Sequence, residues 1–181
     1  FRSAVKPQND YYLELDFNGA EVRTLLGLLG KEQPPGDVHD FHLNEIFTDI
    51  ETREQAKVAF FAWLYGSRSA VIKSDVAKLT KFYEKDSLLE KYWDGSTVTT
   101  PFMKQIPDTS KHHALNYLIQ STAAELTLKQ ALKLEYLLRT QSHGSHIAFL
   151  IHDAVVIDMK NEDDDLLKSL VALMSSTNFG T

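Results

Sequence analysis

Two aspartates, Asp16 and Asp153, each sit at the edge of a β-prone apolar run, YYLEL ahead of the first and IHDAVVI around the second. Apolar runs of this kind commonly neighbour one another in a small sheet. Two carboxylates on neighbouring strands would make a site for hard cations such as Mg2+. Two such ions roughly 3.5–4 Å apart can clamp the attacking and leaving oxygens of a phosphoryl transfer. The plainer reading is that each Asp ends a strand or caps a turn, and the pair alone does not decide.

A second pattern follows Thr52. Arg53, Lys57, Phe61 and Tyr65 recur at every fourth position. On a helix each such step drifts by about 40°, so the four form a slanting stripe on one side. The stripe is cationic at its start and aromatic at its end, and a helix N-terminus adds partial positive charge. A nucleoside triphosphate has the matching layout, a polyanion at one end and a flat base at the other. An amphipathic helix with core aromatics would use the same spacing.

These residues need elements to hold them. Tyr11–Leu15 reads as a strand ending at Asp16, and Glu21–Leu29 as a helix stopping at Gly30. Pro34-Pro35-Gly36 marks a loop, and His39–Phe47 a short helix. Thr52 and Gln55 form a capping box, which predicts a helix to Tyr65 with Gly66 after it. Residues 75–92 read as one charged helix, and 97–100 as a short extended piece. Lys111–Arg139 carries a long helical pattern. Ile147–Ile151 and Val155–Asp158 read as a hairpin bent near His152-Asp153. Residues 163–174 read as an amphipathic helix, with Glu162-Asp163-Asp164-Asp165 as its solvated start. The predicted fold is α/β (α+β): a small antiparallel sheet backed by helices, with a helical excursion inserted in the middle.

Composition bounds the rest. The chain has 181 residues, no Cys and a net charge of −6. Disulfide frameworks and thiolate metal sites are thereby excluded. No apolar run reaches the roughly 18–20 residues that span a bilayer, so no membrane partner is expected. An acidic average argues against phosphate binding. It hides an asymmetry, since Arg53 to Lys91 holds eight basic residues, Arg68 among them, against five acidic ones.

The motifs then become specific. REQAKVAFFAWLYGS resembles the fingers helix of family A DNA polymerases, the group that includes DNA polymerase I and many phage replicases. ELDFNGAEVRTLLGLLG resembles that family's first palm motif and IHDAVVI its His-Asp hairpin. GDVHDFH is similar to the Asp-x-His segment before the fingers, and LNYLIQSTAAEL to the helix between fingers and hairpin. The five occur in family order, and the likeness is nearest to phage-type members with short fingers.

The resemblance implies roles. Residues 1–36 would be the first part of the palm, 37–100 the fingers, and 101–181 the second part of the palm, truncated at its C-terminus. Asp16, Asp153 and the backbone carbonyl of Phe17 would bind two Mg2+ ions, with Mn2+ as a substitute. Lys57 would bind the triphosphate and protonate the leaving pyrophosphate, with Arg53 and His39 on the outer phosphates. Phe61 would pack on the incoming nucleotide and Tyr65 would guard the templating position. Glu21 would block a ribose 2′-hydroxyl, which favours DNA synthesis over RNA synthesis. Asn116, Gln120, His152 and Arg23 would contact the DNA, the first two from the minor groove, where contacts test pair shape. The implied partners are primer-template DNA, deoxynucleoside triphosphates and the missing thumb and exonuclease segments. The implied setting is the cytoplasm of a bacterial cell or phage-infected host.

Some positions depart from the family pattern. Ala154 stands where the hairpin motif has Glu, Phe60 and Ala62 where bacterial enzymes have Asn and Gly, and His112 where Arg is usual. The expectation is a polymerase core that is weak or inactive without its missing segments. The alternatives are a non-catalytic DNA-binding or split remnant acting with a partner chain, and a two-metal nuclease. The nuclease reading leaves the Arg53–Tyr65 stripe and Glu21 unexplained.

Overall fold

The fold was obtained as a computed structural model that describes residues 5–66, 73–177 and 179. Arg68 lies outside the described residues. The chain divides into two compact units, Phe1–Phe17 with Ala123–Thr181, and Asn18–Thr122. The family resemblance puts its divisions at 36/37 and 100/101.

In the first unit, strand β1 (Tyr11–Asp16) pairs with β5 (Ala154–Met159), which also pairs with β4 (His146–Ile151). Both pairings are antiparallel, so β5 is the middle strand. All six residues of β5 are buried, the polar Asp158 among them. Alternation along β1 sends Leu15 inward and leaves Glu14 and Asp16 exposed. Leu15 joins Val155, Ile157 and Met159 in a core closed by Ala131, Leu134 and Leu138 of α6 (Lys111–Gln141). Leu170 and Met174 of α7 (Leu167–Ser175) complete it. Each buried side chain of this size contributes about 1.5–3 kcal/mol.

The start of α7 departs from expectation. A 3-10 turn, Asn161–Leu166, precedes the helix, and the acidic run is not simply solvated. Asp163 is fully buried. It accepts from the backbone N–H groups of His143 and Ser145 at 2.6 and 3.1 Å and from the Ser145 hydroxyl at 2.5 Å. An i, i+1 acidic run carries no periodic mark of which member turns inward, so spacing alone could not find it.

In the second unit, α1 (Ala20–Leu28) starts after Gly19, whose φ is +67°. A Cβ there would lie 2.6 Å from Val38 Cγ1, so both the backbone and the packing call for glycine. Helix α2 (Val38–Glu45) is capped by Asp37. Helix α3 (Arg53–Leu64) begins with the predicted capping box, Thr52 and Gln55 each satisfying the other's backbone N–H.

The segment read as one helix over 75–92 is two, α4 (Lys73–Tyr83) and α5 (Asp86–Tyr92). Glu84, at φ +45°, breaks them. A single non-glycine residue in this region ends a helix without leaving a compositional signal. Strands β2 (Val98–Thr99) and β3 (Gln105–Ile106) form a small hairpin, of which only the first was foreseen.

Phe60, His42, Tyr83 and Trp63 form the aromatic centre of this unit. His42 stacks on Phe60 at 4.5 Å, and its ring Nε2 meets the Tyr83 hydroxyl. Burial, helped by the neighbouring His39, lowers the His42 pKa to about 3, so the ring is neutral. Among the described residues no helix is long and apolar enough to cross a membrane.

Candidate active site

The β1–β5 register sets Asp16 opposite Ala154, the residue next to Asp153. The two aspartates therefore lie at the same end of neighbouring strands. Ile151 pairs with Ala154, so His152 and Asp153 form a two-residue loop. His152 has φ +53°, a left-handed conformation in which a β-carbon is crowded. Positive φ at the first loop residue and not at Asp153 fits a type II′ hairpin, whose twist suits the flanking strands. Glycine would adopt it without strain, so the histidine beside this aspartate is held at a backbone cost.

Asp16 and His152 are exposed, and Asp153 and Phe17 are half-buried. Among the described residues, no three His, Cys, Asp or Glu side chains cluster to form a dedicated metal cage. Two carboxylates on one sheet end suit Mg2+ nonetheless. That ion dehydrates reluctantly and is held by one or two carboxylates plus waters and substrate phosphates. Ala154, 3% exposed, adds no third carboxylate at the middle strand.

The stripe on α3 forms as its spacing predicts, in altered company. Phe61 and Tyr65 stack with centroids 5.9 Å apart and planes at 16°. Lys57 is exposed. Arg53 donates from Nη2 to Asp37 Oδ2 at 2.6 Å. His39 is buried, with its ring 5.8 Å from that of Phe61. Burial lowers the His39 pKa, against the pull of Asp37.

Three expected site residues form one network within the second unit. The Tyr65 hydroxyl donates to Glu21 Oε2, and Gln120 Nε2 donates to Glu21 Oε1 at 3.3 Å. Burial first, and the Glu21 carboxylate second, raise the Tyr65 pKa above the phenol range. One turn before Gln120, the Oδ1 atom of Asn116 is buried without a hydrogen-bond partner. A buried carbonyl oxygen without a donor costs about 1–3 kcal/mol.

Arg23 turns to its own loop. Its Nε donates to the Asn18 carbonyl at 2.8 Å and its Nη2 to the Gly36 carbonyl at 2.6 Å. Sequence reasoning met Asp37 only within the GDVHDFH segment, with no role, and did not single out Asn18, which donates to Asp37 Oδ2 at 3.1 Å. The available signal was Asp37's place ahead of a short helix, a common capping position.

No family model matches the chain. It is 24% identical to a protein named DNA polymerase I from Caldicellulosiruptor bescii, over 94% of this chain and 25% of that one. In fold it is similar to the POL domain of Pol1 from M. smegmatis, solved in complex with DNA primer-template and dNTP. That likeness has a TM-score of 0.71 at 16% identity, and covers 94% of this chain and 37% of the other. The chain thus spans about a quarter of the length of the curated relative. Likeness in sequence to a DNA polymerase I and likeness in fold to part of a polymerase domain thus each run over nearly the whole chain.

Proposed function

We propose that this chain is the palm-and-fingers part of a DNA-directed DNA polymerase, one that adds deoxynucleotides to a primer 3′-hydroxyl by a two-metal mechanism. The observation that carries the reading is the β1–β5 register, with Asp16 opposite the neighbour of Asp153. Carboxylates so placed give oxygen ligands to paired divalent ions, and the Phe17 carbonyl is the next oxygen along the chain. Such ions would supply charge stabilisation at the attacking and leaving oxygens.

The remaining roles belong to side chains. Lys57 and Arg53, on the first turns of α3, would hold the triphosphate beside the positive end of the helix. Lys57 would carry the proton to the leaving pyrophosphate. His39 would serve the outer phosphates, although its burial and lowered pKa make it a neutral partner there. The Phe61–Tyr65 stack would cover base and templating position. Glu21, tied to Tyr65, would crowd a ribose 2′-hydroxyl. Asn116, Gln120, His152 and Arg23 would meet primer-template DNA, and thumb and exonuclease segments of the same polymerase would complete its grip.

The test is single-nucleotide extension of a labelled primer-template by the 181-residue chain at high protein concentration with Mg2+. Slow extension that is lost in Asp153→Asn supports the reading. Extension that persists in Asp153→Asn and Asp16→Asn, or DNA degradation without incorporation, would sink it.

A further inference from the structure

Asp37 gathers four donors from three parts of the second unit. Its Oδ1 accepts from the backbone N–H groups of His39 and Asp40 at 2.8 and 3.1 Å. Its Oδ2 accepts from Arg53 Nη2 at 2.6 Å and Asn18 Nδ2 at 3.1 Å. One carboxylate thus joins the turn before α1, the start of α2 that carries His39, and the first residue of α3. Arg53 foremost, with Asn18 and the two backbone donors, holds the Asp37 carboxyl well below the usual carboxylate range.

We propose that Asp37 is a positioning residue for triphosphate binding, acting through Arg53. The inference rests on the reading of α3 as a nucleotide-binding helix. A guanidinium carries several N–H donors in a rigid fork. Asp37 takes one of them from Nη2 at 2.6 Å and the exposed Glu54 a second, longer one from Nη1 at 3.5 Å, so the remaining N–H groups of the fork are left for an anion. An arginine side chain loses rotamer entropy when a ligand fixes it. A partner that fixes it beforehand removes that cost from binding. The Asp37 side chain is 17% exposed and that of Arg53 38%, so the anchor is sheltered while the fork stays accessible.

Charge alone predicts the opposite. Asp37 is an anion close to a site for a polyanion, and removing its charge would tighten binding if only net charge mattered. Positioning predicts weaker binding. Asp37→Asn and Asp37→Ser distinguish the two, because Asn and Ser both cap helices well and so preserve the start of α2. A thermal melt of each variant confirms that it folds.

The experiment is equilibrium binding of dATP with Mg2+ to the full chain, and of inorganic tripolyphosphate as a base-free probe. Asp37→Asn, Asp37→Ser and Arg53→Ala are each expected to weaken both ligands by about five- to tenfold. The Asp37→Asn/Arg53→Ala double variant is expected to be no more than about twofold weaker than Arg53→Ala, since the two act as a unit. Unchanged or tighter binding in folded Asp37→Asn overturns the proposal, as do single effects that multiply in the double variant. A wild-type chain that binds neither ligand removes the nucleotide-binding reading itself, and this inference with it.

Discussion

The phenol of Tyr65 donates its hydrogen to the carboxylate of Glu21, 44 residues away in the chain. The same carboxylate also receives Gln120. A glutamate held at both oxygens has a fixed orientation, and under the nucleotide-binding role proposed above it would crowd a ribose 2′-hydroxyl.

Glu21→Ala should therefore relax sugar discrimination. The ratio of ATP to dATP dissociation constants, measured with Mg2+, is expected to fall by about tenfold or more. Tyr65→Phe keeps the stack on Phe61 and loses only the bond, so its effect should be smaller and of the same sign. A ratio unmoved by Glu21→Ala would show that Glu21 serves only to hold Tyr65.

Asp163 sets an acid limit on the first unit. Burial opposes its charge, but the bonds from Ser145 and His143 outweigh that and hold its pKa at about 2. A depressed carboxyl pKa gives stability that is present above its unfolded value, near 3.9, and lost as pH falls through the folded one. Urea unfolding should thus give a flat contribution from pH 7 to about 5 and a decline from about 4 to 2. Asp163→Asn turns a donor toward the Ser145 donors and is expected to cost about 2–4 kcal/mol at pH 7. That deficit should shrink near pH 2.

Gly19→Ala combines a left-handed φ with a near collision on Val38. The expected cost is about 2–3 kcal/mol. In a Val38→Ala background the steric part should vanish, leaving about 1 kcal/mol from the backbone. Equal costs in both backgrounds, read from denaturant midpoints, would show that the collision is relieved elsewhere.

Lys85 closes the far end of α3. Its Nζ donates to the carbonyls of Trp63 and Leu64 at 3.1 and 3.3 Å and lies 4.4 Å above the Trp63 ring. Lys85→Met keeps the apolar stem and removes the donors, at an expected cost of about 1–2 kcal/mol. Hydrogen exchange should then rise at the end of α3, near Tyr65, and stay unchanged at the Arg53 end. A uniform rise along the helix would contradict a local clamp.

The elements that were legible are those with long or reciprocal patterns. Thr52 and Gln55 name the start of α3 outright, and the apolar runs around Asp16 and Asp153 name β1, β4 and β5. The α+β sheet backed by helices follows from them. What escaped was written in single residues. Glu84 ends α4 through its φ alone, and Asp163 is buried within a run of acids that reads as surface. Asp37 and Arg53 are 16 residues apart, and no local periodicity links them. Of the candidate site, the residue types and their strand or helix were legible. Which of them hold each other was not, because hydrogen bonds between distant segments leave no spacing to read.

The sheet also has a consequence for the order in which the chain can fold. Beside β1, Gln8 and Asn9 reach Asp158 across separations of 150 and 149 residues, and among the described residues β1 pairs with β5 alone. Closing so long a loop is slow, and on the ribosome the first strand must wait for almost everything between. The interval it waits through encodes a unit with its own core, so Asn18–Thr122 can be complete before β1 is paired. Until then the apolar YYLEL segment is an unpaired edge, open to pairing with another nascent chain.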